Sequence, residues 1–360
     1  MTDNNKTRIV VGLSGGVDSS AAASLLVEQG YDVVGITLKV WPQDCVSRAE
    51  DKCCGPQAVM DARSVADKLD IPYYLVDESK EFQRDVIDYF AAEYKAGRTP
   101  NPCVMCNEKL KFGNLIDRAR KLGAEYVATG HYARLEHRDG RTVLLRGRDA
   151  RKDQTYFLFS LGQEQLAHMM FPLGELQKSE TREVARCVNL KTAEKQESQE
   201  ICFVPDKDYK KFLTTAGLVE EHRGEIVDTR GQVLGHHDGI EFYTIGQRKG
   251  LGISSPTPMY VIELDPENNR VVVGGEELLL RDEFRIDRCN WIAFDHLTKP
   301  IEASAAIRYN HPGTETTVIP GENGQATVKL REPQRAVTPG QACVFYQDDL
   351  VVGGGWIMRN

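Results

Sequence analysis

Arg8-Ile9-Val10-Val11-Gly12-Leu13-Ser14-Gly15-Gly16-Val17-Asp18-Ser19-Ser20 is the stretch whose reading decides the fold. Residues 8–13 form a short apolar run of the buried-strand kind, and residues 21–30, AAASLLVEQG, read as a helix closing on Gly30. A turn set between a buried strand and a helix turns backbone N–H groups and the positive end of the helix toward an anion. Gly15 and Gly16 permit the tight turn and the close approach of anionic oxygens, and the hydroxyls of Ser14, Ser19 and Ser20 are further donors. Asp18 is out of place beside an anion unless a divalent cation such as Mg²⁺ accompanies it. No Lys follows the glycines, so the loop is not GxxxxGK[ST], and it does not fit GxGxxG.

Outward from this loop, strands alternate with helices. A second strand, residues 31–40, is followed by a cysteine-bearing loop over 41–55 and a helix over 57–69. A strand over 71–77 precedes a helix over 82–97. Another helix covers about 107–122, and EYVATGHY (125–132) is a strand running into a loop. This alternation predicts a parallel sheet covered by helices, an α/β domain over residues 1–205. Residues 206–275 are Gly-rich with short strands and make a small central domain. Residues 276–360 carry only strands separated by turns, the pattern of a β-barrel.

With 360 residues, 41% of them hydrophobic, the chain can bury more than one core. It begins without an apolar leader and contains no apolar run long enough to span a bilayer, so a cytoplasmic protein with no membrane association is expected. Nine cysteines in so long a chain point to reactive or metal-binding thiols rather than a disulfide framework. A net charge of −8 argues weakly against a nucleic-acid partner, although Arg141, Arg146, Arg148, Arg151 and Lys152 cluster in what reads on its own as a solvated loop.

Thr99-Pro100-Asn101-Pro102-Cys103-Val104-Met105-Cys106-Asn107 carries a CxxC ahead of a helix that Asn107 can begin, a setting that favours thiolate at Cys106. Cys202 lies 96 positions further on in Gln199-Glu200-Ile201-Cys202-Phe203. Three chemistries use such thiols. Cys202 can carry a persulfide with Cys106 as its redox partner. The three cysteines can hold an iron–sulfur cluster with one open iron. Zinc is the third, and it needs a fourth ligand, His131 or another Cys. Cys45, Cys53 and Cys54 fit no metal motif, and Cys187, Cys289 and Cys343 sit in core-like patterns.

SGGVDSS resembles the signature of the PP-loop pyrophosphatases, which cleave ATP between the α and β phosphates. Together with AGRTPNPCVMCN, ATGHYAR, LLRGRDARKDQTYFLF, KQESQEICF, YTIGQRKGLG and TPGQACVFY, it makes nearly the whole chain, residues 8–357, resemble the bacterial tRNA-specific 2-thiouridylase family. The resemblance implies an adenine nucleotide alpha hydrolase-like (PP-loop) N-terminal domain, a small central domain and a C-terminal β-barrel. It implies ATP and Mg²⁺ as cofactors and tRNA as substrate, with sulfur placed on the wobble uridine of tRNAs for Lys, Glu and Gln. Gly12, Leu13, Ser14, Gly15, Gly16, Val17, Asp18, Ser19, Leu38 and Gly130 would bind ATP. Asn101, Pro102 and Cys103 would line the base pocket. His131, Lys152, Asp153, Gln154, Arg308, Tyr309 and Gln341 would meet tRNA. Cys106, Cys202 and Cys103 would carry the sulfur chemistry, supplied by a donor protein or sulfide.

Many members of that family have Asp where this chain has Cys103. The substitution makes Cys103, Cys106 and Cys202 resemble the three-cysteine set of related tRNA thiolases, and a [4Fe–4S] cluster on these three is the favoured expectation, ahead of the persulfide. Two functions of other classes remain: a PP-loop amide-forming synthetase, which has no use for the CxxC, and a zinc-stabilised RNA-binding module that cleaves no ATP.

Overall fold

The computed structural model describes residues 6–40, 55–195, 201–204 and 208–359. Cys45, Cys53 and Cys54 lie outside them. The chain divides into two compact units, one of Met1–Val86, Cys103–Lys207 and Asp349–Val351, the other of Ile87–Pro102, Asp208–Asp348 and Val352–Asn360.

The first unit is built on five parallel strands: β1 (Arg8–Gly12), β2 (Asp32–Lys39), β3 (Tyr73–Asp77), β4 (Tyr126–Ala128) and, after a hairpin of β5 (Ala133–Arg138) and β6 (Arg141–Arg146), β7 (Met169–Met170). Their order is β3-β2-β1-β4-β7, with Val10 of β1 level with Val34 on one side and Val127 on the other. The order reverses between β1 and β4, so the loops leaving those two strands open a crevice at their carboxyl ends, the place where open α/β sheets bind ligands. Helix α1 (Val17–Glu28) starts in that crevice. Its alanines face two ways: Ala23 packs with Ile9, Leu26, Val33 and Ala62, whereas Ala21 and Ala22 pack with Tyr132 and Leu173. Small side chains along α1 let it sit within the unit rather than on it. It ends at the expected place, with Gly30 at φ +87°.

Helix α2 (Pro56–Leu69) follows the reading of the sequence closely, whereas the helical run expected from residue 82 already starts with the short α3 (Ser79–Phe82). The next helix does not stay regular. It passes through a wide π-type stretch, Gln83–Asp88, before α4 (Tyr89–Lys95). α4 belongs to the second unit, where Tyr94 stacks on Tyr209 at 4.7 Å, Phe90 meets Phe212 and Tyr89 meets Trp356. The expected charged loop at Arg141 is instead strand β6, so Arg141 and Arg146 project from a hairpin and the loop starts only at Gly147. The buried carboxylate of Glu78, just past β3, accepts from Asn114 Nδ2 at 2.7 Å and from Arg118 Nη2 at 3.0 Å. It thereby ties the carboxyl edge of the sheet to the helical run that the CxxC begins.

In the second unit, β8 (Gly224–Val227), β9 (Val233–His237), β10 (Tyr260–Asp265) and β11 (Arg270–Gly274) form a sheet of order β10-β11-β8-β9. Then β12 (Leu280–Trp291), β13 (Ile301–Ala306), β14 (Thr314–Pro320), β15 (Ala326–Arg335), β16 (Ala342–Gln347) and β17 (Leu350–Ile357) run antiparallel in the order β12-β15-β14-β13-β16-β17. Pairing of β12 with β17, Ile286 opposite Ile357, closes them into a barrel, which leaves no open edge. Phe284, Ile286, Val318, Val328, Cys343, Phe345 and Val352 fill it. Cys343 is thus core as expected, but Cys187 is exposed, because it falls on the outer side of an amphipathic helix.

Candidate active site

The phosphate loop keeps strand pairing up to its edge. Leu13 N donates to Ile36 O at 2.8 Å, and Thr37 Oγ1 donates to Leu13 O at 2.7 Å. Gly15 then turns at φ +69°, where a Cβ would lie 2.2 Å from Ala58 O. Ser14 N donates to Ser19 Oγ at 3.1 Å, closing the loop on itself. Gly16 caps α1 without a side chain, so no capping oxygen takes the N–H groups of the first turn, as an anion site requires. Of the three serines, Ser14 is exposed, whereas Ser20 is fully buried and donates its hydroxyl to Gly16 O at 2.7 Å. The Ser20 hydroxyl therefore serves the loop and not a ligand.

Gly130 closes the other side of the crevice. A Cβ there would stand 2.6 Å from both Asp18 C and Ser19 N, so only glycine lets the β4 loop touch the start of α1. Leu38 is half-buried near the end of β2. His131 is buried, with Nδ1 2.8 Å from Thr129 Oγ1 and its ring against Phe112 and Phe171. Burial, with Lys111 adding to it, holds its pKa well below that of an ordinary imidazole, so it stays neutral at physiological pH.

Two lysines not among the expected site residues grip the loop, although one of them, Lys195, opens the KQESQEICF segment. Lys178 Nζ lies 2.6 Å from Asp18 Oδ1, the same oxygen that accepts from Tyr132 Oη at 2.9 Å. Lys195 Nζ donates to Gly15 O at 3.0 Å and pairs with Asp61 at 2.6 Å. Both reach the loop from more than 150 positions away in the chain.

The CxxC is placed differently from its expected setting. The helix begins at Pro102, not Asn107: α5 (Pro102–Met105) runs into a π-type stretch, Cys106–Asn114, and then into α6 (Leu115–Lys121). Pro102 occupies the first helical position, which needs no N–H donor. Cys103 is exposed, while Cys106 sits one turn in, on a helical run whose Val104, Leu110 and Phe112 are buried. Burial pushes the Cys106 thiol above the ordinary thiol range, and Lys111 pulls it only partly back. Desolvation thus wins over the helix end, and Cys106 is a thiol rather than a thiolate at neutral pH. Its alkylation by iodoacetamide is expected to climb about tenfold per pH unit up to at least pH 9; a plateau below pH 8 would contradict this.

Cys202 is half-exposed beside Phe203, whose buried ring meets Phe82 edge-on at 5.7 Å. None of the six described cysteines forms a disulfide. Among the described residues no three His, Cys, Asp or Glu side chains come together as a metal-ligand group. Cys103, Cys106 and Cys202 as placed here therefore do not make a three-thiolate set for a cluster. Mg²⁺ asks for less: it is held by one or two carboxylates plus substrate phosphates, and Asp18 at the loop supplies one.

The Lys152–Gln154 segment is anchored inward. Asp153 is buried and accepts from Arg146 Nη1 at 2.9 Å, Gly147 N at 3.1 Å and Thr155 Oγ1 at 2.8 Å. Gln154 Oε1 accepts from Tyr132 N at 3.1 Å, while Arg151 is exposed and Lys152 half-buried. In the second unit, Arg308 and Tyr309 are exposed after β13. Gln341 Nε2 donates to the carbonyls of Thr99 and Pro100, both at 3.1 Å, and so fixes the segment leading to the buried Asn101.

Three family models match the chain in succession: tRNA methyl transferase HUP domain over residues 7–206, tRNA methyl transferase PRC-barrel domain over 210–275, and aminomethyltransferase beta-barrel domain over 281–357. The chain is 50% identical over 353 residues to a tRNA-specific 2-thiouridylase MnmA of Clostridium perfringens, covering 98% of each chain. It is 51% identical to proteins of the same description from Geobacter metallireducens (99% of this chain, 98% of the other) and Moorella thermoacetica (97% and 98%). No helix among the described residues is long and apolar enough to cross a membrane.

Proposed function

The chain belongs to the tRNA-specific 2-thiouridylase family, and from that premise we propose that it is a cytoplasmic enzyme that replaces the C2 oxygen of the wobble uridine in tRNAs for Lys, Glu and Gln with sulfur, at the expense of ATP. The observation that carries the reading is the union, in one parallel-sheet unit, of a cap-free helix start at the β1/β4 crevice with the thiols of Cys106 and Cys202. Gly12 to Ser19, Leu38 and Gly130 hold ATP. The uridine C2 oxygen attacks the α-phosphate and displaces pyrophosphate. Mg²⁺, held through Asp18, supplies countercharge for the phosphates.

The sulfur route is either a persulfide on Cys202 or a cluster on Cys103, Cys106 and Cys202. The placement of the thiols favours the persulfide. Its terminal sulfur attacks C2 and AMP departs with the former C2 oxygen. The Cys106 thiol gives up its proton to solvent and attacks Cys202 Sγ, which breaks the S–S bond, releases 2-thiouridine and leaves a Cys106–Cys202 disulfide for an external thiol to reduce. Asn101, Pro102 and Cys103 line the base pocket. His131, Lys152, Asp153, Gln154, Arg308, Tyr309 and Gln341 serve tRNA binding, Asp153 and Gln341 by positioning the chain around them.

The test is mass spectrometry of nucleosides from tRNA lacking the modification, incubated with ATP, Mg²⁺ and either the iron-free protein with a persulfide donor protein or the iron–sulfur-reconstituted protein with sulfide. Product from iron-free protein is expected. Product only after iron–sulfur reconstitution would move the mechanism to the cluster. No product in either case would remove the thiolase reading, and ammonia-dependent AMP release without tRNA would replace it with the synthetase.

A further inference from the structure

We propose that Lys178 and Lys195 are the phosphate-binding cations of this site, and that Lys178 changes partner when nucleotide binds, from Asp18 to a phosphate oxygen. The inference rests on the ATP reading of the loop and goes beyond it by naming side chains that lie far from the loop in sequence.

The loop as a sequence has a charge problem. It carries Asp18 and no lysine, while its helix end offers only about half an elementary charge. A triphosphate brings several negative charges to that spot. Folding supplies the countercharge from one segment. Lys178 is the first residue of α7 (Lys178–Cys187), and its own N–H donates to Asp149 Oδ2 at 3.0 Å, which fixes where its side chain starts. That side chain, 13% exposed, crosses the Tyr132 ring and ends on Asp18. Lys195 is set by the same helix: Arg182 of α7 donates to the carbonyls of Ala193 and Lys195. Its ammonium then rests on Gly15 O and Asp61. The two ammoniums therefore bracket residues 15–18, one at each end of the turn that would cradle phosphate.

Their present partners differ in what a nucleotide would do to them. Gly15 O and Asp61 are not phosphate-competing groups, so Lys195 keeps them and adds a phosphate oxygen. Asp18 is the carboxylate suited to a divalent cation, and it cannot bind one through Oδ1 while that oxygen holds Lys178 and the Tyr132 hydroxyl. Lys178 thus occupies an Asp18 oxygen that a divalent cation would use. Once Asp18 turns to the cation, the Lys178 ammonium is released beside the phosphates, already largely desolvated and within the same crevice.

The experiment is isothermal titration of ATP into the full-length protein at a series of Mg²⁺ concentrations, for wild type, Lys178→Met, Lys178→Arg and Lys195→Met. Both methionine variants are expected to weaken ATP about 10- to 100-fold at saturating Mg²⁺, the range of a lost charge-assisted hydrogen bond. Lys178→Met alone is expected to reach its limiting affinity at lower Mg²⁺ than wild type, because no ammonium competes for Asp18. Lys178→Arg should return the affinity to within a few-fold of wild type, and it keeps the test valid where the methionine variant is poorly folded. Unchanged ATP affinity in both methionine variants, or an unchanged Mg²⁺ dependence in Lys178→Met, overturns the assignment. Wild-type protein that binds no ATP at all overturns the nucleotide reading itself, and this proposal with it.

Discussion

Cys202→Ser is expected to lower 2-thiouridine formation by roughly 10³-fold or more, the scale on which loss of a covalent nucleophile acts, while pyrophosphate release in the presence of ATP and tRNA persists. In the proposed mechanism, adenylation of C2 uses the phosphate loop and the base and no sulfur. Cys202 is accessible enough to be loaded by a donor, and Phe203 anchors it against Phe82. Cys106→Ser should be as damaging, because in the proposed persulfide route the sulfur stays on Cys202 until a second thiol breaks the bond. The double variant should be no worse than either single one, since residues that act as a unit are not additive. Cys103→Ala separates the two sulfur routes. Cys103 is exposed and outside any metal-ligand group, so its loss should leave product within a few-fold of wild type. A loss as large as that of Cys202→Ser would establish the cluster instead. The measurements are nucleoside mass spectrometry for sulfur and a coupled pyrophosphate assay for adenylation.

Gly130→Ala is expected to cost on the order of 100-fold in apparent ATP affinity, the penalty of displacing a binding element by about 1 Å, although the substitution adds one methyl group. The new Cβ would meet Asp18 C and Ser19 N at 2.6 Å. Both are backbone atoms of the first turn of α1, so no side-chain rotation relieves the clash. Either the β4 loop retreats or the helix start tilts, and each moves the N–H groups that would face the phosphates. Titration of ATP reads the loss, and thermal melting checks that the variant is folded. An affinity within threefold of wild type would show that Gly130 does not set the phosphate site. Gly130 shares this constraint with Gly15, but Gly15 is additionally tied to a positive φ, so its replacement would confound binding with backbone strain.

The sequence by itself determined the parts of this protein whose physics is local. Residues 8–30 encode a buried strand, a glycine turn and a helix because apolar run, turn and periodicity are contiguous, and the structure places β1 and α1 there. Alternating strands and helices sufficed for a parallel sheet, and short turn-bounded strands sufficed for the barrel, although β14 was not separately legible in a polar stretch rich in Thr and Gly. Family resemblance carried the site residues, because their spacing is long and their types are specific. What only the tertiary structure decided are quantities set by distant groups. The state of the Cys106 thiol depends on the apolar residues that fold over it, and burial reversed what its place near a helix start suggests. The start of the CxxC helix at Pro102, its π-type continuation and the anchoring of Glu78 on Asn114 and Arg118 depend on packing across separate elements. The partners of Asp18 and Gly15, Lys178 and Lys195, arrive from 160 and 180 residues away. Charge compensation is a matter of distance in space: Lys195 opens the KQESQEICF segment, but nothing in that segment says that its ammonium meets Gly15 and Asp61.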